Sequence, residues 1–593
     1  MIDEDHNLAR QSHEVDFCVV GGGMAGTVAA VAAARRGARV LLMQDRPVLG
    51  GNASSETRVH VCGADRHNRL PNLRETGILE ELRMENLRRN PQRSFSVWDT
   101  ILYETARYQE GLTLLLNCSC VGAAVEGDRV AAVTGWQTTA ETVHTVRAKI
   151  FADCSGDGVL GPLTGAPFRI GREARGEYGE PGAPEQADDK TMGMSLCFQT
   201  REHATPQPFE PPEWAYRFES CDELPYGSRG HRYWGMGYWW VELGGEADSI
   251  HDAERLKDEL LRIAYGVWDH IKNRCSDQKA AAANWALEWM QFLPAKRESR
   301  RYVGAHVLTQ NDILAEGRFD DVVAYGGWSM DDHPPVGFWG AKRGSKLPSA
   351  VFNEAPSPYG IPYRSLYSAA VANLMFAGRC HSATHMAMSS TRVMGTGCSM
   401  GQAVGTAAAM AIESGTNPAG LLDRVDELQQ RLLADDCYLP WVPQRFGRLT
   451  TAARLEASAG DPSPLRDGTN RPVGEDPHAW RHAPGESVAM LFGAPARIEQ
   501  VTLIVDSALH KDPQMSYHQP PGGKMTGPPE EMPRRFRLDV LEAGTWRTLH
   551  AVDDNHRRLV RLAVGGEVEA VRYRLDATWG PCEATNLYAF YVD

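Results

Sequence analysis

The sequence contains no Cys-x-x-Cys pair. Its 12 cysteines are scattered singly over 593 residues, and the closest two, Cys118 and Cys120, have no histidine or second cysteine pair beside them. That spacing speaks against an iron–sulfur or zinc site, so no metal is expected and the thiols read as buried groups in a reducing compartment. Also missing is any run of roughly 18 uninterrupted apolar residues, the minimum for a membrane-spanning helix. The opening "MIDEDHNLARQSHEVDF" lacks the basic segment and apolar core of a secretory leader. A soluble cytoplasmic protein is therefore the expectation. Basic charge is short too: 62 Lys and Arg face 76 Asp and Glu for a net charge of −14, which disfavours nucleic acid and anionic membranes as partners. There is no internal repeat. The length exceeds what one core supports, so two or three folding units are expected, with oligomeric state left open.

What is present is a βαβ signature near the start. Asp16 to Val20 is a short apolar run too compact for a helix, followed by glycines. Met24 to Arg36 is alanine-rich and ends at Gly37, and a second apolar run covers Arg39 to Met43. Strand, helix and strand in that order imply a parallel sheet. A helix is predicted over Trp98 to Tyr108, then a strand and a hairpin turning at Gly127-Asp128, then a run at Lys149 to Ala152 leading into "DCSGDG". From Gly171 to about Asn353 the composition shifts toward Pro, Trp, Tyr and Gly, which reads as an inserted substrate-side domain. A small-residue helix from about Gly397 to Ser414 closes the catalytic part. Ser458 to Asp476 is polar and rich in Pro and Gly, like a linker, and the short alternating runs beyond it predict an all-β sandwich.

The expected architecture is an α/β chain with a Rossmann-type dinucleotide-binding domain (14–170, completed by 354–457), an inserted mixed α+β substrate domain (171–353), a linker (458–486) and a C-terminal β-sandwich (487–593). Gly21-Gly22-Gly23-Met24-Ala25-Gly26 is a G-x-G-x-x-G string in the right setting. Gly21 permits the tight turn, Gly23 lets backbone N–H groups approach a pyrophosphate, and Gly26 lets the helix pack on the sheet. An acidic residue for the ribose should end the second strand. Gln44 stands there, followed by Asp45, so either could take that role. Gly50, Gly51 and Asn52 form a backbone-rich loop suited to a flat ring, with Ser54, Ser55 and Arg58 as donors to phosphate or ring carbonyl groups.

Residues 16 to 60, "ADCSGDG" (152–158), "LPAKRESRRYVGAHVLTQNDI" (293–313), "GIPYRSLY" (360–367) and "LMFAGRCHSATHMAMSSTRVMGTGCSMGQAVGTAAAM" (374–410) together resemble the FAD-dependent oxidoreductase family of two-dinucleotide-fold flavoproteins. The resemblance implies FAD as cofactor. It also implies a discontinuous site in which Asp157 lies near the cofactor, Gly378-Arg379 ends a strand beside it, and the helix starting at Gly397 points its N-terminus at the flavin, stabilising negative charge on the ring. Residues 487 to 593 resemble a galactose-binding-like, discoidin-type sandwich.

Oxidation of an alcohol carbon needs a base, and histidine suits that task at neutral pH. His381 and His385 follow the Gly-Arg pair, and His333 lies where Asp331 or Asp332 could orient it. Arg297 or Arg300 could steer an anionic substrate. Trp234, Tyr238, Trp239, Trp240, Trp328 and Trp339 read first as core, with stacking on a carbohydrate as the second reading. The expected reaction moves a hydride between a small polar, sugar- or polyol-like substrate and flavin N5. Reduction of a C=C bond, hydroxylation, and non-catalytic glycan binding are the alternatives.

Overall fold

The computed structural model describes residues 8–225, 231, 234, 238–340, 350–515 and 525–593. Its first sheet is built from β1 (Ala9–Val20), β2 (Val40–Met43), β3 (Leu112–Leu115), β4 (Cys118–Glu126), β5 (Arg129–Gln137) and β6 (Thr142–Asp153), in the order β3-β2-β1-β6-β5-β4. The strand Leu374–Phe376 adds itself to β6 in parallel, with Phe376 opposite Asp153. β3, β2, β1 and β6 are mutually parallel, and β4 and β5 form the antiparallel hairpin. β1 starts seven residues before the apolar run that announced it. Its polar first half is exposed, yet it pairs with β6 from Ala9–Thr142 to Val20–Asp153, so backbone pairing rather than burial sets its length.

Helix α1 (Met24–Arg35) follows β1 directly, and the Gly378–Ser414 region returns to pack on it. The contact between α1 and the long helix Met394–Ser414 is backbone against backbone. A Cβ on Gly401 would stand 2.2 Å from the Ala25 carbonyl oxygen, and one on Gly405 would stand 2.1 Å from that of Ala29. This is why a 21-residue helix carries so many Gly and Ala residues. A second helix, Ile78–Arg89, fills a stretch whose sequence reads as irregular. Glu80, Arg83 and Asn86 are buried alongside its leucines, so polar and apolar positions do not separate onto two faces and the usual periodic signal is weak.

The middle of the chain forms a separate antiparallel sheet in which Met194–Glu202 pairs with Trp285–Met290, Ala295–Lys296 and Tyr238–Leu243. The helix Ala253–Asp269 covers it, burying Leu260, Ile263, Val267 and Trp268 against Leu196 and Phe198. The C-terminal part is an antiparallel seven-stranded arrangement whose two longest strands, Ser487–Val505 and Leu559–Thr578, bend at register shifts. It begins earlier than its sequence suggests. Arg454–Ala457 pairs with Ser487–Val505, Trp480–His482 pairs with Thr585–Val592, and Trp480 is buried in the core. The 458–486 stretch is thus built into the sheet structure; its Pro and Gly residues make turns within it. Among the described residues no helix is long and apolar enough to cross a membrane.

Candidate active site

The carboxyl ends of β1, β2 and β6 open onto a groove whose empty space, including open solvent, is about 1010 Å³. That is the place where parallel sheets hold ligands, because the helix N-termini point there. Gly21, Gly23, Met24 and Ala25 line one wall at the start of α1. Gly23 caps the helix without any side-chain hydrogen bond, and the first turn carries no acidic residue, so the positive end of the helix faces the groove. A Cβ on Gly23 would meet nothing within 4 Å, whereas one on Gly26 would stand 1.9 Å from the Gly21 carbonyl oxygen. Gly23 therefore leaves room for a ligand, and Gly26 packs the turn.

Cys154, Ser155, Gly156 and Asp157 form the facing wall. Their loop is held by Asp153, fully buried, whose carboxylate accepts from Ser155 N and Oγ (2.9 and 2.6 Å), Leu160 N (2.8 Å) and the Tyr302 hydroxyl (2.6 Å). Burial raises the pKa of Asp153 against those bonds. Asp157 receives Lys296 Nζ at 2.6 Å, Ser299 Oγ at 2.9 Å and Arg379 Nη2 at 3.3 Å. Burial alone would raise its pKa; Arg379 and Lys296 reverse that and hold it below the usual carboxylate range. Gly378, Arg379 and Gly397 join the groove from the far segment, and Gly50, Gly51 and Asn52 from the near one.

Other expected ligands are engaged elsewhere. Gln44 borders the groove, but its Oε1 accepts from Gly22 N at 2.7 Å and its Nε2 donates to the Val48 carbonyl at 3.2 Å. It pins the glycine turn; Asp45 stands exposed at the groove beside Arg46. Ser54 is buried and donates to the Gly51 carbonyl at 2.8 Å; the Ser55 amide donates to Asp99 at 3.0 Å. Arg58 reaches Gln199 and lies over the Trp289 ring at 4.3 Å. These three shape the loop and do not line the groove. Sequence reading overlooked Arg46, Lys296 and Arg392, which do line it. Lys296 opens the "KRESRR" string, and nothing local separates it from its neighbours.

Three of the candidate catalytic residues, Arg297, His333 and His385, lie in two buried ion networks. In one, Glu242 binds Arg297 Nη2 at 2.7 Å and His333 Nδ1 at 2.8 Å, His333 Nε2 lies 3.3 Å from Asp331, and Asp331 lies 3.4 Å from Arg392 at the groove. In the other, His385 sits between Glu298 at 2.8 Å and Asp332 at 3.2 Å, with Arg301 bridging Glu298 and Glu173. Burial pushes the His385 pKa down, but Glu298 and Asp332 together raise it to about 10. His385 is thus an imidazolium at neutral pH and has no lone pair with which to act as a base. His381 Nδ1 bonds the Gly378 carbonyl oxygen at 2.8 Å, and burial lowers its pKa to about 4 despite that bond. It braces the Gly-Arg turn. Arg300 Nη1 donates to the Asp157 carbonyl at 3.2 Å and its guanidinium covers Phe168.

A second set of imidazoles went unnoticed in the sequence. At the start of the long helix, next to the groove residue Met394, the Gly395 amide donates to the Cys62 carbonyl at 2.7 Å. On that same loop His60 and His67 pack ring to ring with centroids 4.7 Å apart, and His67 meets the Trp328 edge at 5.1 Å. Behind them Glu75 is fully buried against Gly395; its Oε1 accepts from Ala64 N at 2.9 Å and Thr396 Oγ1 at 3.2 Å. Burial drives its pKa up to about 7, against the pull of Arg83. Trp234 packs against Trp285 and Trp339 against Phe338, both as core, and the side chains of Tyr238, Trp239 and Trp240 lie outside the described residues.

Two features of the groove suit a dinucleotide. Gly23 leaves open space at a helix N-terminus, and Arg379 has a buried Nη1 without a hydrogen-bond partner on the opposite wall. With Arg46, Lys296 and Arg392 it supplies positive charge for a pyrophosphate and for an electron-rich ring. The family profile described as FAD dependent oxidoreductase matches residues 16–432. A search of curated proteins returns no match. Among solved structures, a geranylgeranyl bacteriochlorophyll reductase-like protein from Thermoplasma acidophilum is similar at 12% identity and TM-score 0.32, over 72% of this chain and 86% of that one. The p-nitrophenol 4-monooxygenase of Pseudomonas putida follows at 11% identity and TM-score 0.33, over 71% and 85%. A family 32 carbohydrate-binding module from Streptococcus pneumoniae EndoD covers 24% of this chain and 94% of its own, at 14% identity and TM-score 0.19. Likeness at these scores says nothing about chemistry.

Proposed function

Because the chain belongs to the FAD-dependent oxidoreductase family, we propose that it moves a hydride between a small polar substrate, sugar- or polyol-like, and its flavin. Bound FAD supplies the two-electron acceptor, and the protein supplies orientation, charge and a place for the proton. The observation that carries this reading is the convergence at the start of the long helix. Met394, Gly397 and Arg392 border the groove there, and the Cys62 carbonyl ties the same turn to the loop carrying His60 and His67. Arg392, backed by Asp331, His333 and Glu242, holds positive charge at that end. An imidazole of the 60–67 loop accepts the hydroxyl proton as the hydride leaves. Asp45 would hold the ribose hydroxyls of bound FAD, and the α1 N-terminus with Arg379 would hold its pyrophosphate.

The test is anaerobic mixing of the FAD-loaded protein with sugars and polyols, followed by flavin absorbance. Direct bleaching is the expected result. Bleaching that needs NAD(P)H instead would point to a reductase or a hydroxylase, and glycan binding without any turnover would leave only a binding role.

A further inference from the structure

We propose that the middle domain holds a structural zinc ion between Cys221, His231, His270 and Cys275. Their ligand atoms all lie within 4.8 Å of one another; Cys221 is half-buried and the other three are buried. Three of the four closest separations approach the edges of a coordination tetrahedron, and the fourth is shorter. Cys221 Sγ is 3.6 Å from Cys275 Sγ, 3.4 Å from His231 Nε2 and 3.5 Å from His270 Nε2, and His231 Nε2 is 3.0 Å from Cys275 Sγ. With Zn–S near 2.3 Å and Zn–N near 2.05 Å, a tetrahedron has edges of about 3.8 Å between sulfurs and about 3.6 Å between sulfur and nitrogen. A disulfide would need the sulfurs at about 2.05 Å.

Local structure aims these donors. At the end of the helix Ala253–Asp269 the chain widens into a π-helical turn, His270–Arg274, in which the Cys275 amide bonds the His270 carbonyl at 2.7 Å. That i to i+5 bond puts His270 and Cys275 on one face, which an α-helix would not do. His270 Nδ1 donates to the Phe218 carbonyl at 2.9 Å, which fixes the tautomer and leaves the Nε2 lone pair turned toward Cys221 Sγ. The set contains two thiolates and two neutral imidazoles, so a divalent ion makes it neutral overall and suited to burial. Four soft protein ligands form a closed site, which makes zinc the choice and the role structural. The sequence contains no Cys-x-x-Cys pair and so raises no expectation of a metal; 53 residues separate Cys221 from Cys275, and only the fold brings them together. The ion would tie Cys221 and His231 to the helix end, and the strand Tyr238–Leu243, close in sequence, supplies Glu242 to the His333 network.

The test is metal analysis of the purified, FAD-loaded full chain, with Cys275→Ser and His231→Asn as variants. One zinc per chain is expected, lost in both variants while FAD content is retained, together with a lower Tm. Cobalt exchanged into the wild-type chain should give intense tetrahedral d–d bands with thiolate charge transfer, a readout that stands even where a variant fails to fold. Wild-type protein that neither contains zinc nor takes up zinc or cobalt would overturn the site. So would a Cys221–Cys275 disulfide found by mass spectrometry under non-reducing conditions.

Discussion

Single residues decide the charge states around the groove. His385 has a pKa raised from 6.5 to about 10 by Glu298 and Asp332, so it contributes stability that is fully present below pH 6.5 and is lost as the pH climbs through 10. Thermal melts from pH 6 to 10 should show the wild type losing Tm across that window. His385→Gln, which removes the cation shared by Glu298 and Asp332 and leaves Glu298 to Arg301 alone, should cost about 3 kcal/mol at pH 7 and flatten that slope. Glu75 behaves in the same direction for the opposite reason. Its raised pKa, about 7, means that folding favours its protonated form, fully below 4.5 and progressively less as pH rises through 7. Glu75→Gln should therefore match the wild type at pH 5 and exceed its Tm at pH 8. Arg392→Met should keep FAD bound and lower kcat by about a hundredfold, because it removes the cation at the end of the groove that the buried network supports.

At the scale of elements, the site depends on two helices whose N-termini meet the same groove. α1 and the long helix approach so closely that Gly401 and Gly405 lie against the Ala25 and Ala29 carbonyls. Gly401→Val should force the helices apart at a cost of about 3 kcal/mol or more. FAD occupancy should fall with it, since Gly23 and Gly397 line the groove at their ends; denaturant melts and the ratio of flavin to protein absorbance measure both effects. The glycine fingerprint, α1 and the second strand were legible because each rests on local chemistry. The helix Ile78–Arg89 was not, since its buried Glu80, Arg83 and Asn86 blur the apolar period. The roles of Ser54 and Arg58 were equally hidden, because their partners, the Gly51 carbonyl and Gln199, are a matter of folding.

The whole molecule is joined by buried arginines. Arg74 is fully buried, pairs with Glu80 at 2.6 Å and donates to the carbonyls of Ser507, Ala508 and Lys511 in the C-terminal sandwich. Arg471 donates to the Arg74 carbonyl at 3.0 Å, and Arg558 meets Asp436 at 2.9 Å. Arg74→Met should leave Glu80 buried without its main counter-charge and cost about 3–5 kcal/mol, read as a lower or split calorimetric transition. By itself the sequence determined the βαβ start, the glycine turn between its first strand and helix, and the all-β end, because turn chemistry and side-chain period act over a few residues. Only tertiary structure decided which histidines keep a usable lone pair, which arginines face the groove and which distant cysteines and histidines meet. Those properties depend on what surrounds a group in space, and contacts across hundreds of residues leave no mark on the spacing between neighbours.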